Sequence, residues 1–281
     1  MVSTVIAEEQ EVGGCRLLLD QIRPAIHAHL DDPVIETFGL TIGFGNEPVL
    51  SGVDLPVARH QITAIVGPSG SGKTTFLRSL NRMNDKLRGF RRSGRVELEG
   101  QDIYGAGVDP LVVRKRVGMV FQRPNPFPMS IRDNVLAGVK VHKMVPRAAL
   151  ADVAETRLAE VGLWPAVAGR LSDSPYRLSG GQQQLLCLAR ALAVAPDVLL
   201  LDEPTSSLDP VSTEAVEALL LRLAAKVSMV IVTHNLAQAR RIADQVAFFC
   251  EGRLIEAGPT EAVFESPKRR ETGKYLQGQF G

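Results

Sequence analysis

Cysteine, an excess of either charge and long apolar runs are what this 281-residue chain lacks. Its three cysteines, Cys15, Cys187 and Cys250, are too few and too scattered for a disulfide framework or a zinc-ligand spacing. Three free thiols in a reducing compartment are expected. Lys plus Arg number 32 against 31 for Asp plus Glu, a formal net charge of +1. That balance gives no footprint for binding nucleic acid or an anionic membrane. No run of 18 apolar residues occurs, so the sequence holds no candidate membrane span. The opening residues, MVSTVIAEEQEVGG, lack a basic stretch followed by an apolar core, and a secretory signal is not expected. No internal repeat or low-complexity segment is found.

What is present suits a globular protein. The chain is 45% hydrophobic, enough for a proper core, and 22% charged. Its length fits one large domain or two small ones. Residues 1–33 read as a weakly patterned N-terminal extension with no readable role. Its one amphipathic stretch, Cys15 to Leu30, is broken by Pro24. From residue 34 to 281 the pattern becomes that of one domain. Strands are expected at Val34 to Phe44, Val49 to Val57, Gln61 to Val66, Gly94 to Leu98 and Arg116 to Phe121. A helix is expected over Thr74 to Asn84, with Phe76, Leu77, Leu80 and Met83 on one face. Pro124 to Pro128 (PNPFP) is a stiff break. Helices are then expected at Ile131 to Val139, Pro146 to Val161 and Leu163 to Ala168, forming a helical subdomain over about residues 127–180. The last third alternates: helix Gln182 to Val194, strand Val198 to Leu201, helix Pro210 to Leu223, strand Met229 to Val232, helix Leu236 to Ala243. It closes with a hairpin about Glu251-Gly252. The expected class is α/β: a P-loop core with a mainly parallel sheet, a small antiparallel β subdomain and an inserted helical subdomain.

Three motifs carry the chemistry. Gly67, Pro68, Ser69, Gly70, Ser71, Gly72, Lys73 and Thr74 spell GPSGSGKT, which fits the phosphate-cradling P-loop. Its glycines let the backbone approach a phosphate chain, and the amides of Gly70 to Thr75 can turn toward an anion at the start of a helix. Lys73 supplies a positive charge for the β- and γ-phosphates, and the Thr74 hydroxyl can bind magnesium. A buried apolar strand ends in Asp202 and Glu203, where open α/β sheets bind ligands. Asp202 is placed to hold magnesium and Glu203 to orient or deprotonate an attacking water. His234 closes the next strand and could reach the γ-phosphate or that water. Gln122 also closes a strand and could reach the metal. Alone, each of these last two is weak, since residues at strand ends are commonly structural.

The third motif is LSGGQ, Leu178 to Gln182. Ser179, Gly180, Gly181 and Gln182 offer a hydroxyl, exposed amides and a helix start, which together make a second anion site. The plainer reading is a serine helix cap with a glycine hinge. One ATP does not need both anion sites. Two chains packed head-to-tail would, each P-loop facing the other chain's Gly-Gly turn.

The order P-loop, Gln122, LSGGQ, LLLDEP, Ser206 to Asp209 (SSLD) and His234 resembles that of ABC-transporter nucleotide-binding subunits, from about Val34 to the C-terminus. The resemblance implies an ATP-sandwich dimer, attachment to transmembrane permease subunits, and a peripheral place on the cytoplasmic face of the membrane. By position it implies that Phe44 stacks on adenine and that Gln122 couples the site to the membrane partner. Ser179, Gly181 and Gln182 would act on the other subunit's ATP, and Asp209 would carry a dimer contact. Finer matches at Leu80 to Asp85, Val117 to Val135 and the closing VFESPKRRETGKYLQGQFG resemble the ATP-binding subunits of bacterial high-affinity phosphate importers. That resemblance implies phosphate as cargo, with a phosphate-binding protein as an indirect partner. One departure is Leu185, where that family carries arginine; a buried leucine is expected there. The alternatives are a motor for another solute such as a polar amino acid, a soluble ABC ATPase, and a non-hydrolysing regulatory subunit. The single cassette without heptads or a basic stripe opposes the second, and intact Lys73, Asp202, Glu203 and His234 oppose the third.

Overall fold

The computed structural model describes residues 25–26 and 32–279. The amphipathic reading of Cys15 to Leu30 lies outside these residues, save that Ala25–Ile26 forms a short strand, β1, rather than helix. Two long strands follow, β2 (Pro33–Phe44) and β3 (Glu47–Ala58), then β4 (Ile62–Val66). Helix α1 (Lys73–Ser79) leads to β5 (Phe90–Leu98), β6 (Gln101–Asp102), α2 (Pro110–Arg116) and β7 (Val117–Val120). Helices α3 (Ile131–Val141), α4 (Leu150–Glu160), α5 (Trp164–Val167) and α6 (Gly180–Leu192) come next. The chain then alternates through β8 (Val198–Asp202), α7 (Pro210–Ala224), β9 (Ser228–Val232) and α8 (Leu236–Ile242). It ends with the hairpin β10 (Gln245–Cys250) and β11 (Arg253–Pro259), α9 (Thr260–Glu265) and α10 (Arg270–Leu276).

The strands form two sheets. One has the order β1-β11-β10-β4-β9-β8-β7 and is parallel apart from the β10–β11 hairpin. The other, β3-β2-β5-β6, is antiparallel, as expected. Strands β4, β8 and β9 are buried at every position, which is why each reads as a near-continuous apolar run. Their side chains alternate between two cores. Ile62, Ala64, Leu199, Leu201, Met229 and Ile231 face the helical side. Ile65, Val198, Leu200, Val230 and Val232 face the side built by the antiparallel sheet, α1 and α2. The parallel sheet is therefore the middle layer.

The helix expected to run to Asn84 stops at Ser79. Asn84 turns back to donate to the Thr75 carbonyl (2.9 Å) and the Ser79 hydroxyl (2.8 Å), and the Tyr104 hydroxyl donates to the Ser79 carbonyl (2.9 Å). The Ser79 carbonyl, which a longer helix would use, is thus taken by Tyr104. Helix α2 went unread because Leu111 and Val112 face solvent and blur its periodicity, although Asp109 before Pro110 is a plain helix start: its carboxylate accepts from the Leu111 amide (2.9 Å). Leu185 is half-buried against the helical core rather than buried. Cys187 is a buried free thiol, and Cys15 lies outside the described residues. Among the described residues no helix is long and apolar enough to cross a membrane.

Candidate active site

Four neighbouring parallel strands, β4, β9, β8 and β7, build the site. Their C-terminal ends deliver the P-loop, His234, Asp202 with Glu203, and Gln122 respectively. Adjacent strands lie about 4.8 Å apart, so residues remote in sequence share one edge of the sheet.

In the P-loop, Gly67, Gly70 and Gly72 have φ of 149, 79 and 91°. At Gly72 a Cβ would meet the Leu50 side chain at 2.6 Å, so only glycine fits both the conformation and the space. Lys73 folds back over its own loop. Its Nζ donates to the carbonyls of Gly67 (2.8 Å) and Pro68 (2.7 Å), with the Ser71 hydroxyl at 3.5 Å. Burial lowers its pKa, opposed by the charges of Glu203 and Asp202. Incoming phosphate oxygens would replace those two carbonyls with charged partners. Ser69 and Gly70 are exposed at the loop's tip, and Thr75 follows on α1.

The Thr74 hydroxyl donates to Asp202 Oδ1 at 3.0 Å, so the two residues present hard oxygens at one point. Asp202 is only 5% exposed, and burial raises its pKa despite the Thr74 hydrogen bond and Arg78 at 3.8 Å. Glu203 leaves the strand in a left-handed turn, φ 46°, uncommon for a residue with a side chain. Its amide donates to the Val232 carbonyl (2.9 Å), which fixes that turn against β9. Glu203 Oε2 accepts from Gln122 Nε2 at 3.0 Å and lies 3.0 Å from His234 Nδ1. Gln122 thus meets Glu203, not the Thr74–Asp202 pair. Both contacts fall on one carboxylate oxygen. The site opens into a cleft of about 380 Å³ lined by Glu203, Ser206, Thr233, His234 and Asn235 among others. Arg78 was missed in the sequence, and Ser206 was named there only as the start of SSLD, with no role at Glu203. Arg78 stands one helical turn after Thr74, a spacing that could have revealed it.

The LSGGQ turn lies apart from this cluster. Ser179 caps α6 by accepting from the Gln182 amide (3.3 Å), and Gln182 Oε1 accepts from the Ser179 amide (3.2 Å), a complete capping box. The plainer reading of this serine therefore holds within the chain. Ser179 and Gly180 remain exposed, and among the described residues no hydrogen bond or ion pair joins Ser179 to Gln182 to the P-loop, Asp202 or Glu203. A Cβ on Gly181 would press on the Ser212 hydroxyl at 3.0 Å, so the turn packs against the start of α7. Asp209 caps that helix. It accepts from the Ser212 hydroxyl (2.6 Å) and amide (3.0 Å), and these bonds hold its carboxyl below the usual range. Phe44 ends β2, half-buried, with its ring 6.0 Å from Phe90, an aromatic neighbour the sequence did not point to.

Asp202 yields a prediction with a sign. Its folded-state pKa is raised, so the folded protein binds more protons than the unfolded one between the two values, and stability falls as pH rises through that window. Asp202→Asn is therefore expected to raise Tm of the nucleotide-free protein at pH 7 by about 2 °C. The gain should vanish below the ordinary carboxylate range, where Asp202 itself is protonated. The same variant should lose the rise in Tm that ATP with magnesium produces in the wild type. Thermal melts at two pH values, with and without ligand, check both halves.

The fold and this cluster define a P-loop nucleotide-hydrolysing protein. The ABC transporter family matches residues 50–206, over half of the chain. The chain is 59% identical over 249 residues to "Phosphate import ATP-binding protein PstB 2" of Mycobacterium tuberculosis, covering 89% of this chain and 90% of the relative. It is 52% identical over 250 residues to "Phosphate import ATP-binding protein PstB" of Thermotoga maritima, covering 89% of this chain and 100% of the relative. Among solved structures, cbiO1 from Clostridium perfringens, part of the ABC transporter complex cbiONQ, superposes with a TM-score of 0.72 at 27% identity. That match covers 89% of this chain and 98% of the other. An ATP-bound bacterial Atm1-family exporter matches with a TM-score of 0.73 at 24% identity, over 94% of this chain and 44% of that one, and shows the fold alone. The chain belongs to the ABC transporter family, as an ATP-binding and ATP-hydrolysing protein.

Proposed function

We propose that this chain is the motor of an importer for inorganic phosphate. It works as an ATP-sandwich dimer on transmembrane permease subunits at the cytoplasmic face of the membrane. The observation that carries the cargo assignment is the 59% identity across 89% of the chain to a relative named for phosphate import. The cargo does not touch this chain in the proposal; it passes through the permease, delivered by a separate phosphate-binding protein.

The hydrolytic part rests on geometry. In each site Phe44 would stack on adenine, the amides from Gly67 to Thr75 would cradle the phosphates, and Lys73 would move from two carbonyls to the β- and γ-oxygens. Thr74 and Asp202 fit a magnesium ion. They offer hard oxygens, and among the described residues no group of three or more His, Cys, Asp or Glu forms a cage of its own. Magnesium suits such sparse sites, because it keeps waters and takes one or two protein oxygens beside substrate phosphates. When bound it would neutralise phosphate charge. Gln122, expected from the sequence to reach the metal, touches Glu203 instead. His234 and Gln122 hold Glu203 Oε2, which leaves Oε1 to take a proton from a water as its oxygen attacks the γ-phosphorus. ADP leaves with the electrons of the broken P–O bond. The exposed Ser179 and Gly180, with the half-buried Gly181 and Gln182 beside them, would complete the partner chain's site, with Asp209 at the dimer contact. The Ser179 hydroxyl, which accepts from the Gln182 amide and can still donate, and the glycine amides suit a γ-phosphate arriving from outside the chain.

Deleting the gene in a strain with no second copy is expected to abolish high-affinity phosphate uptake at scarce phosphate and to leave amino-acid uptake intact. Normal phosphate uptake with reduced uptake of another solute would reassign the cargo and leave the ATPase standing.

A further inference from the structure

The His234 side chain is 66% exposed, too open for packing alone to fix its ring beside Glu203. Its segment is anchored further on, at Gln238 of α8. Gln238 is 1% exposed, and its Nε2 donates to Thr205 Oγ1 (2.8 Å) and to Glu217 Oε1 (3.0 Å). A carboxylate only accepts, so the amide nitrogen must face it, and both of its N–H groups are used. Asn235 completes the anchor. Its Oδ1 accepts from the Gln238 amide (3.0 Å), and its own amide donates to Thr233 Oγ1 (3.0 Å).

Thr205 follows Glu203 and Pro204 and is buried. The segments 203–205 and 234–238 therefore meet twice. Glu203 Oε2 lies 3.0 Å from His234 Nδ1 at the open cleft, and Thr205 accepts from Gln238 in the interior. A buried hydrogen bond is shielded from competing water, so the inner contact is the firmer of the two. Its far side is fixed as well. Glu217, buried on α7, accepts from Arg241 Nη2 (2.8 Å) and Nε (3.1 Å). Arg241 and Glu217 thus orient the Gln238 amide, and that amide holds Thr205.

We infer that Gln238 is a positioning residue for hydrolysis, acting through Thr205 to keep the turn of Glu203 in register with His234. The role rests on the reading of Glu203 as the base for the attacking water. Among the described residues no hydrogen bond or ion pair joins Gln238, Thr205 or Glu217 to the P-loop. Loss of the link should slow the chemical step and spare ATP binding.

The test uses the full-length protein and three changes. Thr205→Val keeps the branched shape and removes the acceptor, Thr205→Ser keeps the acceptor, and Gln238→Met keeps the unbranched length and removes the amide. ATP affinity is measured by equilibrium titration, kcat by steady-state hydrolysis well below every variant's Tm, and Tm by thermal melting. Thr205→Val should lower kcat by about three- to tenfold, the range for one lost hydrogen bond, with Kd for ATP within about twofold of wild type. Thr205→Ser should hydrolyse within about twofold of wild type. Thr205→Val also leaves a buried N–H without its acceptor and should lower Tm. The double variant Thr205→Val/Gln238→Met removes both partners, so its Tm should recover toward wild type while its kcat stays low. Recovery of kcat together with Tm would mark the bond as merely structural and overturn the inference. So would a wild-type kcat in Thr205→Val, a Thr205→Ser as slow as Thr205→Val, or a Kd raised as much as kcat falls. Glu203→Gln is assayed beside them. Hydrolysis by Glu203→Gln at the wild-type rate would remove the reading of Glu203 itself. A slow Glu203→Gln beside a fast Thr205→Val removes only the role of Gln238.

Discussion

Glu203→Gln is expected to accumulate as an ATP-bound dimer whose hydrolysis is slowed by roughly 10²-fold or more, the effect of losing a general base. Glutamine keeps the length of the side chain and can sit in the same left-handed turn, φ 46°, so the backbone should not move. Its amide oxygen can still accept from Gln122 or His234, but it cannot take a proton from water at neutral pH. Lys73, Thr74 and Asp202 are untouched, so ATP should stay bound and bridge two chains. Size-exclusion chromatography with and without ATP and magnesium reads the dimer, and phosphate release reads the rate. Adding Ser179→Arg should abolish the dimer by placing a bulky charge on the exposed turn. That change also breaks the Ser179–Gln182 capping box, worth about 1 kcal/mol to α6. Ser179→Ala breaks the same cap without the charge, and should leave the dimer far more intact than Ser179→Arg does. A Glu203→Gln protein that stays monomeric at saturating ATP would count against the sandwich, and would leave ATP binding untouched.

Lys73→Ala should weaken ATP binding by about 10²-fold or more, since charge-assisted bonds to phosphate contribute roughly 1.5–3 kcal/mol each. Turnover should fall with it. The nucleotide-free fold should not suffer in proportion. Lys73 is a buried cation whose pKa burial already depresses, and among the described residues its hydrogen-bond partners are its own loop's Gly67, Pro68 and Ser71. The variant should therefore melt near the wild-type temperature without ligand and fail to gain stability when ATP is added. Titration with a fluorescent ATP analogue and parallel melts separate these outcomes. Unchanged affinity with unchanged turnover would remove the P-loop assignment.

The local pieces were legible in the sequence because their physics is local. GPSGSGKT needs glycine where φ is positive, and it lies between a buried strand and a helix as read. The apolar runs ITAIV, VLLLD and SMVIV are what strands covered on both faces must look like. The antiparallel subdomain and the hairpin about Glu251-Gly252 followed from alternation and turn residues. Even Ser179 announced its own helix cap.

Only the tertiary structure decided which of these pieces meet. The order β4-β9-β8-β7 is a matter of strand pairing between distant segments, and it alone brings Gln122 and His234 onto one oxygen of Glu203. Helix α1 ends early because Asn84 and Tyr104 bond its last turn, contacts that no helical period contains. Phe90 beside Phe44 and the half-buried place of Leu185 are likewise products of packing. Periodicity along a chain records which face a residue turns inward; which neighbour waits there depends on how separate elements fill one core.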